Sequence, residues 1–397
     1  MPTISQRGES MPASPIRKLV PYAEEAKRRG TRVYHLNIGQ PDIETPKLVM
    51  DAVRKADIKV IEYSHSAGNE SYRRKLVEYY KGVGVQVNHN QIIVTTGGSE
   101  AILFGFMACL DPGDEVIVPE PFYANYNGFA VAAGVKVVPV TSRIETGYAL
   151  PPIADFEKLI TSRTKAIVIC NPNNPTGYLY SREELESLKE MVVKHNLYLF
   201  SDEAYREFSY TGELLSVLQM EGADENLVVM DTISKRYSAC GARLGALVTK
   251  NKELLDAVMK FAQARLSPPT FAQIAGEAAI DLPPDYFTDT KAEYQRRRDL
   301  IVGRLNAMEG VFCPNPGGAF YAMAKLPIDD SDTFCQWLLE SFEHNGATVM
   351  LAPATGFYGT PGLGTQEVRL AYVLNLDAIN AAMDCLEAAL KVYPGKI

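Results

Sequence analysis

Asp231-Thr-Ile-Ser-Lys-Arg-Tyr-Ser-Ala-Cys-Gly-Ala-Arg-Leu-Gly245 decides how the chain is read. An apolar run at 227–230 precedes it and a second, 246–249, follows. Short runs of this kind read as buried strands. Lys235, held between them, is expected to be drawn toward the interior, where burial lowers an amine's pKa and makes it a usable nucleophile. Two hydroxyl residues, Thr232 and Ser234, stand just before it, and Arg243 follows eight residues later, flanked by Gly241 and Gly245. An amine, two hydroxyls and a guanidinium suit an aldehyde that also bears a phosphate. Pyridoxal phosphate is such a molecule, and a lysine Schiff base is how proteins hold it. Taken alone, Lys235 reads as a surface lysine in a turn; the spacing to Arg243 argues against that.

The composition excludes several function classes. At 397 residues the chain exceeds one average domain, so two domains or one large one are expected. A net charge of −8 argues against a nucleic-acid or anionic-membrane partner. No apolar run reaches the roughly eighteen residues of a membrane span, and residues 1–10 are polar, without a hydrophobic signal core. Six cysteines are scattered, mostly in apolar runs, as reduced core cysteines are. The five histidines show no metal spacing. A cytoplasmic protein without a metal is expected.

Along the chain, residues 1–11 read as a loose arm. Ser14-Pro15 reads as the start of a helix running to Arg29, stopped by Gly30 and kinked at Pro21. Strand 33–37 leads into Asn37-Ile-Gly-Gln-Pro-Asp42, where Gly39 serves either an ordinary turn or close backbone approach to a ligand. Strand 91–95 is followed by Thr96-Gly-Gly-Ser-Glu100, which opens a helix to Leu110. Two glycines at a helix N-terminus let an anion reach the free N–H groups. The spacing is not the G-x-G-x-x-G of dinucleotide sites. Pro121-Phe-Tyr123 reads as the next helix start, and Tyr123 packs under it or stacks on a flat ligand.

Strand 166–170 is apolar throughout, as in parallel sheets. It runs into Asn171-Pro-Asn-Asn-Pro-Thr-Gly177, a rigid loop at a strand's carboxyl end, where open α/β sheets place ligands. Ser181 with Glu184 reads as a capping box. Strand 197–200 closes with Ser201-Asp202-Glu-Ala-Tyr205, where Asp202 is a helix cap or a cofactor partner. Asn251 reads as an N-cap for helix 251–280, interrupted at Ser267-Pro-Pro269, and one long helix covers 285–308. Beyond it lie strand 317–324, helix 331–345, strands 347–351 and 367–374, and helix 377–393, a smaller α+β unit.

In motif order, from Asn37 to Asn375, the chain resembles the class I/II pyridoxal-phosphate aminotransferases of aspartate aminotransferase type. The match rests on the lysine motif, the Asn-Pro-x-Asn-Pro-Thr-Gly loop, the Gly-x-Pro-Asp stretch and Val368-Arg-Leu370. Thr232 stands where the family usually has Ser or Gly. The resemblance implies an α/β fold. Its large domain, 45–285, would carry a mainly parallel seven-stranded sheet flanked by helices. The smaller α+β domain would comprise 14–44 and 286–397, with 1–13 as an arm. The resemblance further implies Lys235 as the catalytic lysine and Gly98, Ser99, Thr232, Ser234 and Arg243 around the phosphate. Tyr123 would stack on the ring, Asn174 and Tyr205 would serve its phenolic oxygen, and Asp202 its nitrogen. Gly39, Asn174 and Arg369 would bind substrate, and Tyr63 would reach the phosphate of a neighbouring subunit, which requires a homodimer.

The implied reaction is ping-pong amino transfer between an L-amino acid and a 2-oxo acid such as 2-oxoglutarate. Aspartate is the first substrate expectation, with alanine, aromatic or other neutral amino acids as alternatives. A carbon-sulfur lyase or decarboxylase of the same fold would share the cofactor residues. One branch of aspartate enzymes has a lysine directly after the two glycines, where this chain has Ser99. Arg265, Arg17 and Arg236 are candidate cations for a distal carboxylate.

Overall fold

The computed structural model describes residues 2–212 and 214–397. Its strands are β1 Arg32–His35, β2 Ile92–Thr95, β3 Glu115–Glu120, β4 Lys136–Thr141, β5 Thr164–Cys170 and β6 Tyr198–Asp202, then β7 Leu227–Thr232, β8 Gly245–Thr249, β9 Tyr321–Lys325, β10 Ala347–Met350, β11 Ala352–Pro353 and β12 Glu367–Ala371. Seven form one sheet in the order β2-β8-β7-β6-β5-β3-β4. β8 is antiparallel to both neighbours, and the other pairs are parallel. The inner strands are apolar along their length because both faces are covered. In β5, Ala166 and Val168 enter one core while Ile167 and Ile169 enter the other. In β7, Val228 and Met230 face the first of these cores and Leu227 and Val229 the second.

Strand direction positions the site. Parallel pairing puts the carboxyl ends of β5, β6 and β7 on one rim. β8 runs the other way, so its first residue, Gly245, pairs with Thr232 at the end of β7 and with Thr95 at the end of β2. The segments that follow β2, β5, β6 and β7 therefore meet the segment that precedes β8. A further core gathers the small sheets β1-β10 and β11-β12-β9 with helices Asp285–Asn306, Ser331–Glu340 and Leu376–Val392. β1 pairs in parallel with β10, which ties the start of the chain to its C-terminal third.

Several local expectations hold. Ser181 Oγ accepts from Glu184 N at 3.2 Å, and the Glu184 carboxylate accepts from Ser181 N at 2.7 Å. Asn251 caps the helix Lys252–Arg265, and 267–269 separate it from Thr270–Ile280. Others need correction. The helix expected from Ser14 spans Val20–Arg28. Pro21 falls in its first turn, where a missing N–H loses no helical bond, so it helps start the helix instead of kinking it. Residues 15–19 are a turn. Within the expected arm, Gln6–Ser10 is helical, with Ser5 as its cap; Met1 lies outside the described residues. The helix after Tyr123 begins at Asn125 and leaves Tyr123 on the preceding loop. The helix expected to reach 345 ends at Glu340. Among the described residues, no helix is long and apolar enough to cross a membrane, and no group of His, Cys, Asp and Glu could hold a metal.

Candidate active site

A cavity of about 520 Å³ opens at the rim where these segments meet. Gly39, Gly98, Ser99, Tyr123, Asn174, Asp202, Tyr205, Thr232, Ser234, Lys235, Arg243 and Arg369 all line it. Tyr63 does not: it stands on the surface, 78% exposed. Lys235 is half-buried in the cavity wall instead of sunk in the interior as expected. Its Nζ donates to Gly39 O at 3.0 Å and lies 3.6 Å from Cys240 Sγ.

One end of the cavity is built for an anion. Gly97, at φ 78°, caps the helix Gly98–Cys109, whose first N–H groups have no helical partner. The Arg243 guanidinium lies against it: a Cβ on Gly97 would sit 2.5 Å from Nη2. Arg243 has no ion-pair partner among the described residues. Thr232 Oγ1 and Ser234 Oγ are 2.8 Å apart beside it. Gly245 lets β8 pass beneath: an added Cβ would lie 2.5 Å from Asp231 O and 2.6 Å from Gly97 C. Both contacts are backbone, so neither can yield cheaply. Gly245→Ala is expected to destabilise the fold by about 1–3 kcal/mol and to weaken phosphate-dependent retention of cofactor. Thermal melts with and without pyridoxal phosphate check this.

At the cavity's other wall, the Asp202 carboxylate is buried at the end of β6. It accepts from Tyr126 OH at 3.0 Å and from Ala204 N at 3.1 Å. Burial outweighs these two bonds and lifts its pKa to about 6. A carboxyl raised in the folded state stabilises the fold below the ordinary carboxylate range and loses that contribution as pH rises through about 6. Asp202→Asn is therefore expected to stabilise the cofactor-free protein at pH 7 by up to about 3 kcal/mol, with little effect at pH 4, while lowering turnover sharply. Denaturant melts at the two pH values test the sign.

The loop after β5 is stiffened internally. Asn173 Oδ1 accepts from Thr176 N at 3.2 Å and from Thr176 Oγ1 at 3.0 Å, and Asn171 N donates to Asp202 O at 2.9 Å. This fixes Asn174, whose Nδ2 lies 3.5 Å from Tyr205 OH and whose Oδ1 accepts from Arg369 Nη1 at 2.9 Å. Arg369 Nη2 donates to Asn37 O at 2.5 Å, and Nε has no partner. The guanidinium is sandwiched between Tyr321 and Phe357, 4.4 and 4.7 Å from their ring centres. Arg369 is 1% exposed and has no carboxylate partner among the described residues. Burial lowers its pKa.

Sequence reasoning missed three of these residues. Tyr321 OH is 2.9 Å from Tyr205 OH, and a Cβ on Gly39 would collide with it at 1.8 Å. Tyr126 serves Asp202, and Cys240 faces Lys235. Two cations expected for a distal carboxylate are engaged elsewhere. Arg236 is buried against Asp231 Oδ2 at 2.6 Å. Arg265 pairs with Glu100 at 2.8 Å and donates to Ser66 O, and it does not line this chain's cavity.

The cavity thus combines an amine, an anion cradle, a desolvated carboxylate without a cation and a desolvated guanidinium without an anion. Buried charges left in this state call for ligands of opposite sign. A phosphorylated aldehyde with a basic ring, together with an amino acid, supplies them all. The comparisons agree. The family model "Aminotransferase class I and II" matches residues 31–352. An aspartate aminotransferase of Thermotoga maritima is 33% identical over 390 residues, covering 97% of this chain and 98% of that one. A mutant aspartate aminotransferase of Thermus thermophilus superposes with a TM-score of 0.90 at 32% identity, covering 98% of this chain and 100% of that one. An alanine aminotransferase of Pyrococcus furiosus matches with a TM-score of 0.90 at 33% identity and the same coverage. The chain belongs to the class I and II aminotransferases and is a pyridoxal-phosphate-dependent enzyme.

Proposed function

We propose that this aminotransferase moves the amino group of an L-amino acid, aspartate first, to a 2-oxo acid such as 2-oxoglutarate. The observation that carries amino transfer is Arg369, a buried fork-shaped cation without an acid, in the same cavity as Lys235; the choice of aspartate is supported by relatives named aspartate aminotransferase. A planar guanidinium matches the two oxygens of an α-carboxylate. Gly39 gives the substrate room beside Tyr321, and Asn174 orients the Arg369 fork.

Gly98, Ser99, Thr232, Ser234 and Arg243 would hold the cofactor phosphate. Tyr123 would lie against its ring, Asp202 would serve the ring nitrogen, and Asn174 and Tyr205 the phenolic oxygen. Lys235 would hold the aldehyde carbon. When bound, the cofactor supplies an acceptor for the electron pair left at the substrate's α-carbon. Displaced from the aldehyde carbon by the substrate's own amine, Lys235 Nζ would be free to take the proton from the substrate's α-carbon and to give it back, as base and then acid. Asp202 would pass its proton to the ring nitrogen, ionise, and hold that nitrogen in its charged form.

Tyr63, exposed in one chain, would complete the phosphate site of a second copy in a homodimer. Residues 14–44 and 286–397 would form a smaller unit beside 45–285, a division supported by the core that Leu19, Ala23, Leu36 and residues 294–393 share, joined from the larger unit by the buried Cys170, Tyr205 and Phe208. The six free cysteines support a reducing, cytoplasmic setting.

The substrate assignment is tested by giving the holoenzyme each common amino acid in turn, with no 2-oxo acid, and following loss of its visible band. Aspartate and glutamate are expected to discharge the band fastest. Neutral or aromatic amino acids outrunning both would overturn the aspartate assignment.

A further inference from the structure

Lys235 has a second nucleophile beside it. Its Nζ lies 3.6 Å from Cys240 Sγ, and both half-buried side chains line the cavity. The turn between them is fixed. Ser234 O accepts from Ala239 N at 3.1 Å and from Cys240 Sγ at 3.2 Å, and Tyr237 is buried. The sulfur is therefore held in place, while the flexible four-carbon lysine stem can bring the amine to it. Amino transfer as proposed above uses the amine and leaves the thiol without a task.

Cys240 also differs from the other five cysteines. Of the six, it alone lines the cavity, where a small solute can reach it. Cys170, Cys313, Cys335 and Cys385 are buried, and Cys109 is half-buried. Burial pushes the thiols of Cys109 and Cys313 up to about 12 and that of Cys385 up to about 11. The thiolates that oxidants attack are therefore scarce at those positions.

We infer that Cys240 is a modification site that captures Lys235 whenever its amine is free: hydrogen peroxide converts the thiol to a sulfenic acid, and the amine then closes an S–N bond. In the first step the sulfur takes one peroxide oxygen, the O–O bond breaks, and the other oxygen leaves as water with the thiol proton. The sulfur is oxidised by two electrons and the peroxide reduced by two. In the second step the Nζ lone pair attacks that sulfur, the S–O bond breaks, and hydroxide leaves with an amine proton as a second water. Two equivalents of a thiol reverse the link: one splits the S–N bond, and the next frees Cys240 from the mixed disulfide. The inference rests on Lys235 as the residue that holds the cofactor. Its amine is tied up while the cofactor carries its aldehyde, and is free once the cofactor carries the amino group. An enzyme short of 2-oxo acid stays in the second state, and that is the state oxidation captures.

The test loads the wild-type protein and Cys240→Ser with pyridoxal phosphate or with pyridoxamine phosphate, treats each with hydrogen peroxide, and maps the peptides by mass spectrometry. The expected result is that the aminated wild-type form yields Lys235 joined to Cys240, two hydrogens lighter than the reduced pair, and that dithiothreitol removes the link. The aldehyde form stays unlinked. Cys240→Ser forms no link and, unlike the linked wild type, still takes up borohydride-reducible pyridoxal phosphate at position 235 after oxidation. Cys240 recovered from the aminated form as free thiol or sulfinic acid, with Lys235 unlinked, overturns the inference. So does equal linkage in both forms when borohydride attaches the cofactor to Lys235 of the untreated aldehyde form. An untreated aldehyde form in which borohydride labels no Lys235 instead contradicts the cofactor assignment beneath it, so the two failures are distinguishable.

Discussion

Lys235→Ala lowers turnover by about 10⁴-fold or more, the largest effect expected for any single substitution in this chain. Lys235 is the only amine among the residues that line the cavity, so nothing replaces it as covalent anchor or as proton carrier at the α-carbon. Its surroundings do not depend on it. The turn it sits on is held from below by Asp231, which receives Arg236 at 2.6 Å and the Tyr80 hydroxyl at 2.7 Å. Thr232 Oγ1 donates to Leu244 O at 2.9 Å whether or not the amine is present. Stability is therefore expected to change by less than about 0.5 kcal/mol, and the variant still takes up pyridoxal phosphate non-covalently. Two readouts check this: kcat under saturating substrates, and borohydride reduction, which should attach the cofactor to the wild-type protein and not to the variant. Covalent labelling that survives in Lys235→Ala would remove Lys235 from its assigned role.

Arg369→Met is expected to lower kcat/KM by roughly 10²–10³-fold, chiefly through KM, and to do so for acidic and neutral amino acids alike. The uniformity is the informative part. Every L-amino acid presents the same α-carboxylate, so losing its partner cannot discriminate among side chains. Arg369 is held against Asn174 and the Asn37 carbonyl, between two aromatic rings, so its fork is already oriented before substrate arrives. Methionine fills similar volume between the rings but offers no charge. Arg369→Lys should recover only part of the loss, since a point charge cannot reproduce two parallel N–H contacts. Steady-state kinetics with aspartate, alanine and phenylalanine check that the loss is the same for all three.

Much of the site could be read from the sequence because its motifs follow strands. Asn174, Asp202 and Lys235 each come just after an apolar run, and parallel pairing of β5, β6 and β7 carries all three to one rim. Arg243 reaches the same rim from the opposite strand direction, since β8 is antiparallel. What could not be read depends on contacts between distant segments. Tyr321 sits in a strand that looks like ordinary core, and only the packing of β9 against the Asn37–Asp42 stretch and the β6 end reveals it as a wall of the cavity. Arg236 and Arg265 looked as available as Arg17. Their fates are set by two carboxylates, the buried Asp231 and the half-buried Glu100, whose side-chain directions no spacing rule specifies. The turn before Val20 read as helix because Ser14-Pro15 has helix-start chemistry; tertiary anchors on Pro15 and Ile16 override it.

Amino transfer itself is tested most directly by following a labelled nitrogen. The holoenzyme is given ¹⁵N-aspartate with 2-oxoglutarate, and products are resolved by mass spectrometry. The account predicts that the label appears in glutamate, with an equal amount of the four-carbon 2-oxo acid, and that omitting 2-oxoglutarate limits the reaction to one turnover per cofactor. Label released continuously as ammonia, or loss of carbon dioxide without a 2-oxo acid acceptor, would contradict it and assign the cavity to elimination or decarboxylation.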